Sequence, residues 1–380
     1  MNKILVFDKG GRKERRELIE KKQAPRDFFQ GIIALKEKGF DITHLSSAQP
    51  YKKKIIYFLL KPIEEIFSRI SNIGIRPLSV HQFRHKINRS NFVVSLTDGF
   101  SISLGFYFGL IDKKNKIKLA GGFHKLSDYD SKLPLFLKGI YYSTFIRILK
   151  RLDYLIFYGE ADRGNAINHF KIDPQKTYII KFGVDTNFWV PDNNNSFISK
   201  YIFSIGQDPA RDFNTLLKVK TKRKIHIHSS LLKIRNDENF KVTNGSYHEY
   251  KNSYTDIKIR ELYQNSFLVI VPLKDVFQPS GYSVTLQALA CGKPVILTLT
   301  RGLWAPSLFK HLENCILVSP YKPKEIENAI KFLESDRIIY EKISKNARIT
   351  AEKFFSLACA SESTFSLFSK FNQNNSSTHS

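Results

Sequence analysis

The chain is poor in sulfur and in long apolar runs, and each scarcity excludes a class of protein. Its 380 residues hold three cysteines and one methionine. A sparse, odd cysteine count gives neither a disulfide framework nor a metal-ligand spacing, so we expect a reducing compartment. The nearest candidate for a membrane span, residues 92–111, contains Asp98 and several Ser, Thr and Gly residues, which favours a buried strand, a turn and a helix. Residues 1–20 are too charged for a secretory signal.

Acidic residues are also scarce. The chain has 60 Lys and Arg against 35 Asp and Glu, a formal net charge of +25, and residues 1–190 alone carry 34 against 18. A basic surface attracts nucleic acid, anionic lipid headgroups or phosphorylated small molecules, although Lys-rich solvated faces would give the same count. Because the basic residues are scattered and no nucleic-acid-binding module is recognisable, nucleic acid is the least expected of these partners.

The chain does contain two successive α/β patterns. Strand-like and helix-like segments alternate from residue 3 onward, and the pattern restarts after a polar hinge at 191–196. This predicts an α/β fold of two Rossmann-like parallel-sheet domains facing each other across a cleft. We expect one domain at residues 1–190 and a second at 191–356, with a helix at 357–371 returning to the first domain and a disordered tail at 372–380.

Residues 133–151 are apolar at helical spacing and end in basic residues. The preferred interpretation is a helix packed on a sheet. The alternative is a membrane-surface helix, on which Lys138, Arg147, Lys150 and Arg151 would face lipid headgroups.

The most informative stretch is 276–303, which follows an apolar strand and contains a turn, an apolar helix, a glycine stop and a second apolar strand. In such a βαβ unit, ligands bind at the carboxyl ends of the strands, where the amide groups of a helix start can hold an anion. The candidate phosphate-binding residues of this turn are Ser280, Gly281, Tyr282 and Ser283.

A second loop, after the predicted strand 201–205, begins with Gly206 and reaches Arg211 just before a predicted helix. A forked cation and helix amides at the same sheet edge as the 278–283 turn would suit a diphosphate. Farther along, Gln287 interrupts an apolar helix, so its side chain needs a polar partner. It either turns toward a ribose or lies in the interior.

These residues carry a resemblance to a known family. The run from Gln287 to Ile296 is similar to the Glu-Ala-Met-Ala-Cys/Ser-Gly-x-Pro-Val-Ile segment of GT-B glycosyltransferases, in the large retaining family of group 1 (family 4) enzymes that use nucleotide sugars. Residues 181–191, 201–211 and 314–320 resemble other segments of that family, and together the matches span roughly 150–355. The resemblance implies that residues 1–190 bind the acceptor and residues 191–356 bind the donor. It also implies that Gly206, Arg211 and the 280–283 turn hold the donor diphosphate and that Gln287 stands at a ribose-gripping Glu.

The chain departs from the family at both of its glutamates. Pro279 stands where a Glu contacts the donor sugar, and Gln287 replaces the second Glu. Either sugar recognition has moved to other residues or activity has been lost, and we prefer a working variant because Arg211 and the phosphate-facing turn are kept.

In the first half, the resemblance points to a smaller set of residues. Gly10 and Gly11 stand where the family has a flexible loop near the donor diphosphate, although a plain turn would have the same sequence. His124 lies where the family often places a histidine near the point of sugar transfer, and the alternative is a structural role. Asp98 could contact an acceptor hydroxyl or cap a helix. His124 and Asp98 are therefore the candidate catalytic residues.

The sequence thus predicts a cytoplasmic glycosyltransferase, peripheral on the inner face of a membrane. It would move a sugar from a nucleoside-diphosphate sugar to an acceptor alcohol, with retention, in polysaccharide, lipopolysaccharide or glycolipid assembly. No cofactor and no metal are expected, because Arg211 and the helix start at Gly281 would neutralise the diphosphate. The expected partners are a nucleotide sugar, a glycan or lipid-linked acceptor and an anionic membrane. The alternatives are a catalytically silent GT-B protein that binds an anionic partner and another GT-B enzyme, such as a nucleotide-sugar epimerase.

Overall fold

In a computed structural model, the chain divides into two units, each built on one sheet. The structure describes residues 3–8, 12–27, 30–46, 55–71, 73–126, 128, 135–192, 196–199, 201–245 and 254–376. Unit 1 comprises Met1–Lys13, Gly31–Ile180 and Ser363–Ser380, and unit 2 comprises Glu14–Gln30 and Lys181–Glu362.

The strands of the two sheets follow one another along the chain. They are β1 (Lys3–Asp8), β2 (Asp41–Ser46), β3 (Phe92–Ser95), β4 (Lys118–Phe123), β5 (Tyr154–Phe157), β6 (Thr177–Ile179), β7 (Tyr201–Ile205), β8 (Lys224–His228), β9 (Arg235–Asn236), β10 (Phe240–Thr243), β11 (Val269–Val271), β12 (Val295–Thr298) and β13 (Ile316–Val318).

The helices connect these strands and cover the sheets. They are α1 (Arg12–Glu20), α2 (Gln30–Glu37), α3 (Ile55–Ser71), α4 (Pro77–Ile87), α5 (Asp98–Phe106), α6 (Leu135–Lys150), α7 (Glu160–Phe170), α8 (Phe213–Leu216), α9 (Asp256–Gln264), α10 (Tyr282–Ala290), α11 (Pro323–Ser335), α12 (Arg337–Phe355) and α13 (Leu357–Ser376). Within this described part of the chain, no helix is both long and apolar enough to cross a bilayer.

Unit 1 is a six-stranded sheet of order β2-β1-β3-β4-β5-β6, in which each neighbouring pair is parallel. Its strands are apolar on both faces, because helices cover both sides, as in other parallel sheets. One face packs under α4, α5 and α6, and Phe7 stacks on Phe100 of α5 at 4.2 Å between ring centroids. The other face packs under the end of α13, where Phe371 stacks on Tyr154.

Unit 2 is a seven-stranded sheet of order β13-β12-β11-β7-β8-β10-β9. Its strands are parallel except β9, which runs antiparallel to β10. The central strands β7 and β11 are neighbours, so their carboxyl ends meet at one edge of the sheet. That edge receives the loops that the sequence singled out.

Several domain and helix boundaries in the structure differ from those predicted from the sequence. Residues 14–30 and 181–190 lie in unit 2, whereas the sequence analysis gave all of 1–190 to the first domain. Residues 14–30 belong to unit 2 because they contact residues distant in sequence. Arg15, for example, is buried and pairs with Asp256 at 3.0 Å. At the other end, α13 continues to Ser376, past the helix end expected at 371. Residues 377–380 of the expected tail lie outside the described residues.

Candidate functional site

The candidate site is built on two loops at the carboxyl edge of the unit 2 sheet. One loop follows β7 and runs from Gly206 to Asp212, and the other follows β11 and ends at Gly281, the N-cap residue of α10. The loops are joined by backbone hydrogen bonds, since the Asp212 amide donates to Pro272 O and the Lys274 amide donates to Ala210 O. The two loops therefore act as one structural unit.

Gly281 sets the direction in which α10 starts. Its φ is 80°, a left-handed conformation that favours glycine, and a Cβ here would come within 2.9 Å of Val271 Cγ1. The first turn of α10 includes Tyr282 and Ser283, and the first amide groups of an α-helix have no partner within the helix. The helix N-terminus adds positive partial charge, so this turn is suited to an anion such as phosphate.

Arg211 provides the cation of the post-β7 loop. Its side chain is only 6% exposed, and it packs directly on Gly206. A Cβ at Gly206 would lie 2.7 Å from Arg211 Cζ, so glycine is required for the guanidinium to occupy this place. The structure thus brings four of the residues that the sequence singled out together at one sheet edge, namely Gly206, Arg211, Ser280 and Gly281.

One expectation about this loop is wrong. The helix after Arg211 was expected to offer amide donors to the diphosphate. Instead α8 has four residues, and its N-cap Asp212 accepts the Thr215 amide at 3.2 Å and the Thr215 hydroxyl at 2.5 Å. Because a side-chain carboxylate already caps α8, the helix amides suited to an anion are those of α10.

Asp208, which the sequence analysis did not single out, connects the two loops through its side chain. Asp208 Oδ2 accepts hydrogen bonds from Gln278 Nε2 at 2.7 Å and from Ser280 Oγ at 2.8 Å. Its Oδ1 accepts the Ala210 amide at 2.9 Å. The hydroxyl of Ser280 is therefore engaged in positioning the loop. The sequence predictions also do not include Lys274, a second cation at these loops. Lys274 is exposed, and its Nζ donates to Pro209 O at 2.8 Å.

A histidine cluster lies farther along the same sheet. Thr243 Oγ1 lies 3.1 Å from His226 Nε2 and 2.9 Å from His228 Nδ1. Burial lowers the pKa of each imidazole to about 4, so both are neutral at pH 7. The ring of His228 stacks on Tyr254 at 4.5 Å, which fixes the end of β8.

Gln287 lies in a buried polar cluster of unit 2. Its side chain is 8% exposed, its Oε1 accepts the Tyr263 hydroxyl at 3.3 Å, and its Nε2 donates to Asp27 Oδ2 at 3.2 Å. Asp27 also accepts Trp189 Nε1 at 2.9 Å and the Asp185 amide at 2.6 Å. Of the two alternatives for Gln287, this geometry favours the interior one. The signal was the polar residue in an apolar helix, but its partner lies 260 residues away.

Burial also explains why Gln287 and Asp27 form a matched pair. Desolvation raises the pKa of Asp27 to about 6, against the lowering effect of its hydrogen bonds to Asp185, Trp189 and Gln287. Once Asp27 is ionised it can only accept hydrogen bonds, and a glutamine can donate one. A glutamate at 287, as in the family, would instead place a second carboxylate against Asp27.

In unit 1 the structure brings the two catalytic candidates together. Asp98 is buried, and its carboxylate accepts the backbone amides of His124 at 3.1 Å and of Lys125 at 3.1 Å. The His124 ring stacks on Tyr158 at 4.3 Å, and its Nε2 lies 3.3 Å from Leu96 O. These contacts give both residues a structural role in holding the loop after β4, and their catalytic roles stay predictions. Gly10 and Gly11 lie outside the described residues.

The remaining sequence expectations concern sulfur, metal and the helix at 133–151. Cys291, Cys315 and Cys359 are free thiols, and burial raises the pKa of Cys291 and of Cys315 to about 12. Among the described residues, no group of three or more His, Cys, Asp or Glu side chains could hold a metal ion. In α6, Tyr141, Phe145 and Ile148 are buried in the unit 1 core, as the preferred interpretation of that segment requires.

The fold and this site define the class of protein. The chain has the GT-B fold, as its similarity to solved structures shows. It aligns with Anabaena HepE, solved with UDP and glucose, at 14% identity and a TM-score of 0.66, over 97% of this chain and 100% of that one. Sucrose-phosphate synthase from Thermosynechococcus elongatus gives 13% identity and a TM-score of 0.67, over 98% and 100% of the two chains. A glycosyltransferase from Rickettsia africae gives 16% identity and a TM-score of 0.63, over 98% of this chain and 99% of that one.

A separate comparison matches part of unit 2 to a protein family. Residues 245–350, which include β11, α10, β12 and β13, match the family model described as glycosyl transferases group 1. No curated protein matches the chain. The predicted resemblance to GT-B glycosyltransferases of group 1, the α/β fold and the assignment to the glycosyltransferases are thereby confirmed.

Proposed function

We propose that the chain transfers a sugar from a nucleoside-diphosphate sugar to an acceptor hydroxyl and that unit 2 binds the donor. The observation that carries this proposal is the joined pair of loops after β7 and β11. Asp208 and the backbone bonds between residues 210–212 and 272–274 hold Arg211 and the start of α10 at one sheet edge. A guanidinium and a helix N-terminus together suit the two phosphates of such a donor.

In the proposed reaction, the bond between the sugar C1 and the diphosphate oxygen breaks while a new bond forms from C1 to the acceptor oxygen on the same face. The acceptor proton passes to an oxygen of the leaving diphosphate, so the products are the glycosylated acceptor and a nucleoside diphosphate. Arg211 and the amides of the first turn of α10 stabilise the charge that develops on the leaving group. Retention of configuration follows from the same-face attack.

We propose that neutralisation by Arg211 and α10 makes a metal ion unnecessary. The sequence contains one Asp-x-Asp triplet, Asp128-Tyr129-Asp130, so this point needs a direct test. Transfer rates measured with EDTA and with added Mg²⁺ should agree. A rate that EDTA abolishes and Mg²⁺ restores would contradict metal independence while leaving the glycosyltransferase assignment intact.

The acceptor is proposed to be a glycan or lipid-linked hydroxyl at the cytoplasmic face of a membrane. The support is the basic composition of residues 1–190, which carry 34 Lys and Arg against 18 Asp and Glu. We accordingly propose that the reaction belongs to the assembly of polysaccharides, lipopolysaccharides or glycolipids.

Donor binding is tested by thermal denaturation with UDP, GDP, ADP and the corresponding nucleosides. A ligand at a hundredfold excess over its Kd stabilises a protein by about 2.7 kcal/mol. One diphosphate should therefore raise the Tm by several degrees, whereas its nucleoside should have a much smaller effect, because it lacks the phosphates. No shift with any nucleotide, together with no turnover of a nucleotide-sugar panel, would favour the catalytically silent alternative.

The loop assignment is tested by Arg211→Ala, with Arg235→Ala as the control. Both are arginines of unit 2, but Arg235 is exposed on the edge strand β9. Arg211→Ala should weaken binding of the diphosphate about tenfold or more, since it removes a charge-assisted phosphate contact. Because Arg211 is buried, Arg211→Lys provides a second variant that keeps the charge, and it should recover part of the affinity. If Arg211→Ala, Arg211→Lys and Arg235→Ala all bind the diphosphate as tightly as the wild type does, Arg211 does not hold phosphate.

A further inference from the structure

Helix α3 of unit 1 exposes its apolar side chains to solvent. Ile55, Phe58, Leu59, Ile63 and Ile66 are all well exposed, with Ile55 and Phe58 each at 80%. Their spacing of three, four and seven or eight residues places them on one face of the helix. A soluble helix ordinarily turns such a face inward, so this surface is an apolar stripe that the described fold does not cover.

The inward face of α3 is different and is well anchored. Tyr57 is 5% exposed, and the buried carboxylate of Glu64 accepts the Leu78 amide of α4 at 3.2 Å. On the helical wheel both residues lie opposite Leu59 and Ile66. The polarity of α3 is therefore fixed by its contacts, and the apolar stripe points outward.

Basic residues outnumber acidic ones in the part of the sequence that contains the stripe. Residues 47–90 contain nine Lys and Arg and only two acidic residues, Glu64 and Glu65. Glu64 accepts the hydrogen bond from α4, and Glu65 Oε1 lies 3.6 Å from Lys61 Nζ. Arg69 of α3 and Lys86 and Arg89 at the end of α4 are exposed. The apolar stripe thus lies in a segment of net positive charge.

We infer that α3 is a membrane-docking helix that inserts its apolar stripe into the headgroup region of an anionic lipid bilayer. An amphipathic helix with Phe and Leu on one face and Lys and Arg beside it binds lipid in this way, in the plane of the interface. Negative headgroups complement the positive charge of this segment, because basic side chains near an anionic membrane surface are attracted to it. The inference deepens the proposed function, which sets the acceptor at a membrane. Lipid binding by α3 is measurable without any sugar transfer, so the two proposals can fail separately.

A second copy of the chain fits the stripe less well. From Ile55 to Ile66 the helix is about 17 Å long, and its face is about 10 Å wide. A stable protein interface needs about 800 Å² from each partner. One helix face of this size falls well short of that area, and two copies of this positively charged segment would repel each other.

The test is co-sedimentation of the full chain with phosphatidylcholine vesicles, with and without phosphatidylglycerol. The wild type should bind the vesicles that contain phosphatidylglycerol and bind them less as salt rises, because salt screens the headgroup charge. Phe58→Ser/Leu59→Ser should reduce the partition coefficient at least about tenfold. Since both side chains are exposed, the Tm should stay close to that of the wild type.

Phe136→Ser is the matched control. Phe136 lies on α6 of the same unit and is 79% exposed, so it tests the membrane-surface helix that the sequence left as an alternative. Binding should be nearly unchanged in this variant. The inference is overturned if the wild type ignores anionic vesicles, if Phe136→Ser causes the main loss, or if light scattering shows a dimer that Phe58→Ser/Leu59→Ser dissociates.

Discussion

At the scale of single residues, the pairing of Gln287 with Asp27 accounts for one departure from the family. The glutamine donates to a carboxylate that also accepts from Trp189 and from the Asp185 backbone. A glutamate could not make this donation unless one of the two carboxyl groups were protonated. The substitution at 287 is therefore explained by a residue of the segment 14–30, which the sequence analysis had assigned to the other domain.

Gln287→Glu should consequently destabilise unit 2, and more at pH 8 than at pH 5. At pH 5, below the Asp27 pKa of about 6, a proton can be shared between the two carboxyl groups, whereas at pH 8 both are ionised and repel each other. Tryptophan fluorescence is a suitable readout, because both tryptophans of the chain, Trp189 and Trp304, are buried in unit 2.

Two results would settle that prediction. Asp27→Asn/Gln287→Glu, which removes one of the charges, should recover part of the stability lost at pH 8. A loss of Tm in Gln287→Glu that is the same at pH 5 and pH 8 would show that the two carboxyl groups do not interact.

At the scale of elements, the sequence predicted those whose pattern is local. The apolar runs of β7, β11 and β12 and the glycine stop after α10 are visible in the chain, so the βαβ unit was predicted within a few residues. The use of Asp208 to join two loops was not predictable, because Gln278 and Ser280 lie some 70 residues farther along. Nor was the outward orientation of α3, since an apolar helical pattern looks the same whether its stripe is buried or exposed.

Asp208→Asn tests whether that connection positions the phosphate-binding edge. The substitution puts either an NH₂ group or an uncharged oxygen in place of the carboxylate oxygen that accepts from Gln278 and Ser280, so both hydrogen bonds weaken. A hydrogen bond to a charged acceptor contributes about 1.5–3 kcal/mol, which is the most that each bond can lose. We expect the affinity for the preferred nucleoside diphosphate to fall about tenfold, measured by titration calorimetry, with little change for its nucleoside.

Asp237→Asn is the control for the loop connection. Asp237 accepts the Phe240 amide at 2.8 Å in the exposed turn between β9 and β10, so its replacement alters a similar bond away from the two loops. Nucleotide affinity should be unchanged in this variant. If Asp208→Asn also leaves the affinity unchanged, the loops hold their positions without that carboxylate.

At the scale of the whole molecule, pH acts on stability through groups buried in unit 2. His226 and His228 have pKa values of about 4 when folded, against an ordinary value of 6.5. Between those values the unfolded chain binds more protons than the folded one, so acidification from pH 7 to 5 costs roughly 2 kcal/mol for each histidine. Asp27, whose pKa is raised, acts in the opposite direction over the range from 6 down to 3.8 and offsets part of the loss.

Unit 2 should therefore lose stability on acidification, and His226→Gln/His228→Asn should lose less of it. The two amides can imitate the ring nitrogens that approach Thr243 without taking up a proton. The quantity to measure is the change in the urea midpoint of tryptophan fluorescence between pH 7 and pH 5. An equal change in wild type and variant would assign the acid sensitivity to other groups.

The proposed function depends on the binding of a nucleoside diphosphate at the edge formed by the β7 and β11 loops. The most direct measurement is a crystal structure of the chain with the diphosphate that gives the largest thermal shift. We expect electron density for the two phosphates within hydrogen-bonding distance of the first-turn amides of α10 and of the Arg211 guanidinium. A nucleotide bound with its phosphates at any other part of the chain would contradict it.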